Sequence, residues 1–178
     1  WPFEKFTESF LGLISLGSKW PALYMNYSQT VPTNVMGYSN TVEFNKLDVR
    51  LDHHIAFKIR GHINYQLQAG KVFGDVPYSF QYNTNGSRIN KYYISADNSF
   101  ETMYFNEFFS NKYASLQLKH TFNKIRLGYK INPEITVVTR MAVGSIDKNN
   151  QHLGITYKTM EDGFFESGVE LNKIFKGI

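Results

Sequence analysis

The chain reads as all-β, an antiparallel up-and-down transmembrane β-barrel of which this is an incomplete C-terminal portion. Three observations lead there. The first is alternation from Lys46 to Arg60, K-L-D-V-R-L-D-H-H-I-A-F-K-I-R. Successive strand side chains point to opposite sides, so Leu47, Val49, Leu51, His53, Ile55, Phe57 and Ile59 share one face. Lys46, Asp48, Arg50, Asp52, His54, Lys58 and Arg60 share the other, whereas a helix would scatter these charges around its surface. The second is length: at roughly 3.3 Å per residue the run reaches about 50 Å, well beyond the usual strand of about 5 to 6 residues. The third is the 12 Tyr and 15 Phe, which suit interfacial girdles, in a chain whose mean hydropathy is only −0.35. Such unremarkable hydropathy fits a barrel in which every second residue faces a wet lumen.

Trp1 to Trp20 mixes apolar residues with Gly12 and Gly17 and reads as a strand pair or an irregular entry segment. Ala22 to Ser28 alternates as a short strand, and Pro32 with the Gly37 to Asn40 cluster marks a loop. After the long strand, Arg60-Gly61 offers a tight turn and His62 to Val72 runs back as the second arm of a hairpin. Phe73 to Ser99 is a long connection rich in Gly, Asn, Ser and Tyr, with its clearest turn at Asn83 to Gly86. Phe100 to Phe109 reads as an aromatic strand, Tyr113 to Asn123 as an alternating one, and Ile135 to Ser145 as the next, after Pro133. Ile146 to Asp162 reads as a polar loop before a last strand, Phe164 to Asn172. Lys173 to Gly177 has the look of a hairpin turn without its returning strand, so residues 1–178 are expected to be part of one barrel domain.

Composition narrows the function classes. No run approaches the roughly 20 apolar residues of a spanning helix. The net charge of +4 comes from basic and acidic residues mixed along the same strands, without a basic block of the kind nucleic-acid binding uses. The absence of cysteine removes disulfides, thiol nucleophiles and thiolate metal sites.

Ala69-Gly70-Lys71-Val72-Phe73-Gly74-Asp75-Val76-Pro77-Tyr78 resembles the most recognisable segment of a family of Bacteroidota outer-membrane proteins. Its members carry an N-terminal carboxypeptidase-regulatory-like domain and a C-terminal barrel domain of unknown function. Similar segments follow in order at Tyr104 to Phe108, Ser110 to Leu116, His120 to Asn123 and Glu166 to Phe175, so the resemblance spans about Lys19 onward. It implies a barrel, an outer-membrane location, and a regulatory-like domain and closing strand lying outside this chain. It does not imply peptidase activity.

Among candidate sites, Asp48, Arg50, Asp52, Lys58 and Arg60 are expected to face the lumen, as a selectivity ring or, preferably, as an ion-pair ladder filling it. His53 and His120 each interrupt an apolar face, and either sit near the headgroups or mark a stretch covered by a partner. Gly74, Asp75, Pro77 and Tyr78 form the family-like turn, where Gly and Pro shape the backbone. Adjacent His53 and His54 point to opposite faces, and no acidic third ligand is fixed beside His54 and His62, so no metal or cofactor is expected. No G-x-S-x-G elbow or Gly-rich phosphate loop occurs, and the chain is not expected to be an enzyme. The expected role is structural or accessory in an envelope assembly or secretion complex, touching outer-membrane lipid and another outer-membrane component. A solute channel with a charged lumen and a soluble lipocalin-like binder are the alternatives.

Overall fold

The computed structural model describes residues 4–10, 12–31, 33–35, 38–40, 43–74, 76, 78–89, 92–93, 98–125, 131–147 and 158–174. A hairpin of β1 (Glu4–Ser9) and β2 (Gly12–Ser18) comes first, so the entry segment is a strand pair. Then follow β3 (Ala22–Gln29), the small pair β4 (Thr33–Val35) and β5 (Tyr38–Asn40), and the long strands β6 (Asn45–Phe57) and β7 (Gly61–Phe73). An inserted segment carries a 3-10 turn at Tyr78–Phe80 and five short strands: β8 (Tyr82–Asn83), β9 (Gly86–Ile89), β10 (Tyr92–Tyr93), β11 (Phe100–Tyr104) and β12 (Phe109–Ser110). The chain returns to long strands in β13 (Lys112–Thr121), β14 (Glu134–Ser145) and β15 (Met160–Asn172).

The long strands build one six-stranded antiparallel sheet in the order β3-β6-β7-β13-β14-β15. Each joins its predecessor in this series, an up-and-down meander into which the shorter pieces are inserted. Among the described residues the sheet is open, with β3 and β15 at its edges, and no closed barrel is formed.

Local chemistry sets the hairpin between β6 and β7. Phe57 pairs with Gly61 across Lys58, Ile59 and Arg60, a three-residue loop closed by a residue in the left-handed region. Gly61 has φ of 86°, and a Cβ there would lie 1.9 Å from the Thr121 carbonyl oxygen, so glycine is required twice over. The strand therefore stops at Phe57, short of the Arg60 its alternation suggests, because the loop needs three residues. Lys58 and Arg60 are exposed loop residues and are not part of a lumen-facing row.

Other boundaries shift for similar reasons. The aromatic strand divides into β11 and β12 because the backbone turns at Asn106, whose φ is 57°. β15 starts at Met160, not Phe164, since Gly163 at φ 77° lets the strand pass through a bulge between the Ala142 and Gly144 pairings.

Buried apolar side chains form two clusters. Phe100, Met103, Ala142 and Met160 make one, and Val72, Val76 and Tyr82 the other. Both join the inserted segment to the sheet. Gly70 is what lets Tyr82 lie down: a Cβ at Gly70 would sit 2.4 Å from the Tyr82 hydroxyl and 2.8 Å from Asp48 Oδ1. Gly70→Val is accordingly expected to cost about 1 to 3 kcal/mol by overpacking. Denaturant unfolding would read that loss, and hydrogen exchange would place it at β8.

Candidate functional site

The register aligns like with like across the sheet. One row runs Leu23, Leu51, Leu67, Leu116, Met141, Phe165 on successive strands. One residue along, the row on the opposite face contains Asp52, Gln66, Gln117, Arg140 and Glu166. The wall thus has an apolar face and a polar face along its whole width.

Burial of the two faces is the reverse of what a water-soluble sheet requires. Leu23 is 61% exposed, Leu67 44%, Met141 41% and Phe165 65%, whereas Gln117, Arg140 and Glu166 are 5%, 4% and 8% exposed. The apolar face is uncovered among the described residues, and the inserted segment lies on the polar one.

Charged and polar contacts fasten that segment. Arg140 Nη1 donates to Glu166 Oε1 at 2.7 Å, and its Nη2 reaches Glu101 Oε1 at 3.2 Å. The Glu166 carboxylate also accepts the backbone N–H groups of Glu101 at 3.0 Å and Thr102 at 2.9 Å, and the Thr102 hydroxyl at 2.7 Å. One buried ion pair on adjacent wall strands thereby clamps β11. Across the sheet, the Tyr82 hydroxyl donates to Asp48 Oδ1 at 2.6 Å. Burial, with the adjoining Asp48 carboxylate, pushes the Tyr82 phenol well above its ordinary pKa and keeps it a donor. Between these anchors, Gln117 Nε2 donates to the Asn98 carbonyl oxygen at 2.6 Å.

The charged residues expected in the lumen divide. Asp48, Arg50 and Asp52 lie on the polar face. Arg50 Nε lies 3.1 Å from Asp52 Oδ2, Gln66 Nε2 donates to Asp52 Oδ1 at 2.8 Å, and the Arg50 guanidinium rests over the Tyr24 ring. Arg50 and Asp52 thus form an ion pair with Lys58 and Arg60 outside it, while Arg50 Nε and Gln66 Oε1 are buried without a well-aligned hydrogen bond. Arg140, Glu166, Glu101 and Tyr82 escape a reading of the sequence as a linked set. Alternation places Arg140 and Glu166 on definite faces of their strands, but their pairing depends on register.

His53 and His120 are satisfied within the chain. His53 Nε2 lies 3.0 Å from the Lys19 carbonyl oxygen, which only accepts, so this nitrogen carries the proton and Nδ1 accepts from the Tyr65 hydroxyl at 3.0 Å. His120 Nε2 donates to the Arg60 carbonyl oxygen at 3.0 Å, and its ring stacks on Phe122. Both imidazoles thus find hydrogen-bond partners within the chain. In the family-like turn, Gly74 has φ of 102° and Tyr78 opens the 3-10 turn, while Asp75 and Pro77 lie outside the described residues. Among the described residues no three His, Asp or Glu side chains gather as metal ligands.

One clasp of the inserted segment is pH-sensitive. Burial opposes ionisation of Glu107, but the Lys158 ammonium at 2.7 Å and the Tyr104 N–H outweigh it and lower its pKa below the ordinary 4.5. A lowered carboxyl stabilises the fold above the unfolded value and loses that contribution as pH falls through the folded one. Lys158 is largely exposed, so the loss is expected to stay below about 1 kcal/mol. Hydrogen exchange at residues 104–109, corrected for intrinsic rates, should quicken below pH 4.5 in the natural chain and not in Glu107→Gln.

Residues 2–140 match the C-terminal domain of the family of unknown function DUF5686. The chain belongs to this family. The match ends within β14, and β15 continues the family domain's wall beyond it. No curated protein and no solved structure matches the chain.

Proposed function

We propose that this DUF5686 domain is a section of outer-membrane β-barrel wall with a structural or accessory role in an envelope assembly or secretion complex. In this reading the apolar face meets lipid, the polar face lines the lumen, and the inserted segment fills that lumen as a plug. The observation that carries it is the inverted burial: large apolar side chains uncovered on one face, and Gln117, Arg140 and Glu166 buried on the other. Lipid is the solvent in which such a wall is stable. A soluble lipocalin-like barrel calls for the opposite arrangement, with its apolar face inside. The clamp on β11 favours a filled support over a free pore, and the role is non-catalytic.

A second reading, a solute channel, draws on one feature. Beside the plug the polar face keeps a cavity of about 430 Å³, bordered by Asp52, His54, Asn64, Gln66, Gln117 and Lys119. Fractionation of cells producing the full-length protein tests the main proposal. Recovery in the outer membrane, resistant to a urea wash and co-purifying with another envelope component, is expected; release into the soluble fraction would contradict it. In planar bilayers the purified protein should show no steady conductance, and a stable conductance would move the assignment to a channel.

A further inference from the structure

The apolar face is not uniform. Beside the leucine row lies a row of smaller side chains, Val49, Ala69, Ala114 and Val143, paired across β6, β7, β13 and β14. Next to it at β15 comes the bulge of Glu161, Asp162 and Gly163, whose glycine presents no side chain and whose Asp162 borders the larger of two hollows on this face. Together they leave a trough. Two hollows of about 530 and 740 Å³ overlap along it, sharing those four residues. The larger extends over Leu51, Leu67, Leu116 and Met141 toward the middle of the wall.

The smaller hollow extends the other way, to a pair of cations. Lys71 and Lys112 are register partners on the same face as Ala69 and Ala114, one step nearer the ends of β7 and β13. Lys112 is held by Asp147, and Glu161 borders the same hollow. Lys71 has no carboxylate within ion-pair distance among the described residues, and the carboxylate that feels its charge is Asp147, which Lys112 already holds; its ammonium lies 4.7 Å from the centre of the Phe73 ring. An apolar trough with a cation at its outer end has the chemistry of an amphiphile site, with acyl chain inside and anionic head at the rim.

The connections tell which end this rim is. At the Lys71 end of the wall they span residues 30–44, 74–111 and 146–159; at the opposite end, only 58–60 and 122–133. Bacterial outer-membrane barrels keep their short turns periplasmic and their longer loops outside. The Lys71 rim therefore belongs to the outer leaflet. Resting on the membrane reading above, we infer that the wall docks a phosphate-bearing outer-leaflet lipid, its acyl chain over Ala69 and Ala114 and its phosphate at Lys71.

The test uses the purified full-length protein and monophosphoryl lipid A, with its dephosphorylated form as control. Native mass spectrometry from mild detergent would give the affinity of each. The natural chain should prefer the phosphorylated form. Lys71→Gln should weaken its binding about fivefold, since a basic group at such a surface contributes about 1 kcal/mol, and leave the control unchanged. Ala69→Leu with Ala114→Leu, which fills the trough on an uncovered face, should weaken both forms. Equal binding of the two forms by the natural chain, or unchanged binding by the variants, would overturn the inference. Vesicle insertion is measured alongside: a protein that inserts without lipid preference refutes this site alone, and one that fails to insert refutes the membrane reading with it.

Discussion

Arg140→Ala is expected to destabilise the protein by about 3 to 5 kcal/mol, because it leaves the Glu166 carboxylate buried without its cation. The Arg140 and Glu166 side chains are 5% and 7% exposed, so water cannot take over. Glu166→Ala removes more still, since Glu101 N–H, Thr102 N–H and the Thr102 hydroxyl lose their acceptor too. Replacing both members by Met should cost less than Glu166→Ala, because no charge of the pair is left buried alone while the Glu101 and Thr102 donors lose their acceptor in both variants. Denaturant unfolding of the full-length protein in detergent checks the ordering. Near-equal stability of Arg140→Ala and the natural chain would show that β11 is not clamped as described. A structural consequence accompanies the energetic one: protease cleavage within residues 98–110 should quicken in the single variants, while the wall strands stay protected.

Leu116→Lys is expected to cost about 2 to 4 kcal/mol in a bilayer, the penalty for a lysine on the lipid face of a barrel near its midplane. Leu116 lies in the leucine row on the sheet's interior strand β13, with Leu67 and Met141 as its paired neighbours. Leu51→Lys should behave alike, as its place in the same row implies. A lysine at Phe57, at the end of β6, should be milder, because the penalty falls toward the interface. Folding into lipid vesicles, measured as stability against urea, would separate the two depths. Equal and small effects at all three positions would mean that this face meets water.

How far the sequence discloses this architecture can be seen residue by residue. Alternation from Lys46 makes the two faces of β6 legible, because a period of two has one structural meaning. The same holds for Ala114, Leu116 and Leu118 on β13 and for Val137, Met141 and Val143 on β14. Register is not legible. Nothing local tells Arg140 that Glu166 will stand opposite, or that Ala69 will meet Ala114, since those pairings depend on loop lengths and bulges far along the chain. The inserted segment is opaque for a related reason. Its short strands owe their place to Tyr82, Glu101 and Thr102 reaching the wall, and such contacts leave no period behind. Two smaller misreadings have equally physical causes. A three-residue hairpin loop takes Lys58 and Arg60 out of a strand that their alternation would continue, and a glycine bulge keeps residues 160–163 in a strand that polarity would end.

In the proposed arrangement the leucine row meets lipid while the glutamine and arginine row meets a filled lumen. Residues 1–178 contain no cysteine, so a single cysteine introduced there is unique within this domain. The decisive measurement is nitroxide labelling of Leu67→Cys, Leu116→Cys and Met141→Cys against Gln68→Cys and Ser115→Cys, in full-length protein in lipid vesicles. Collision with oxygen and with a water-soluble nickel chelate is then compared at each site. High oxygen and low nickel accessibility is expected at the first three positions and low accessibility to oxygen at the last two, alternating residue by residue. Nickel accessibility at positions 67, 116 and 141, or oxygen-rich surroundings at 68 and 115, would contradict it.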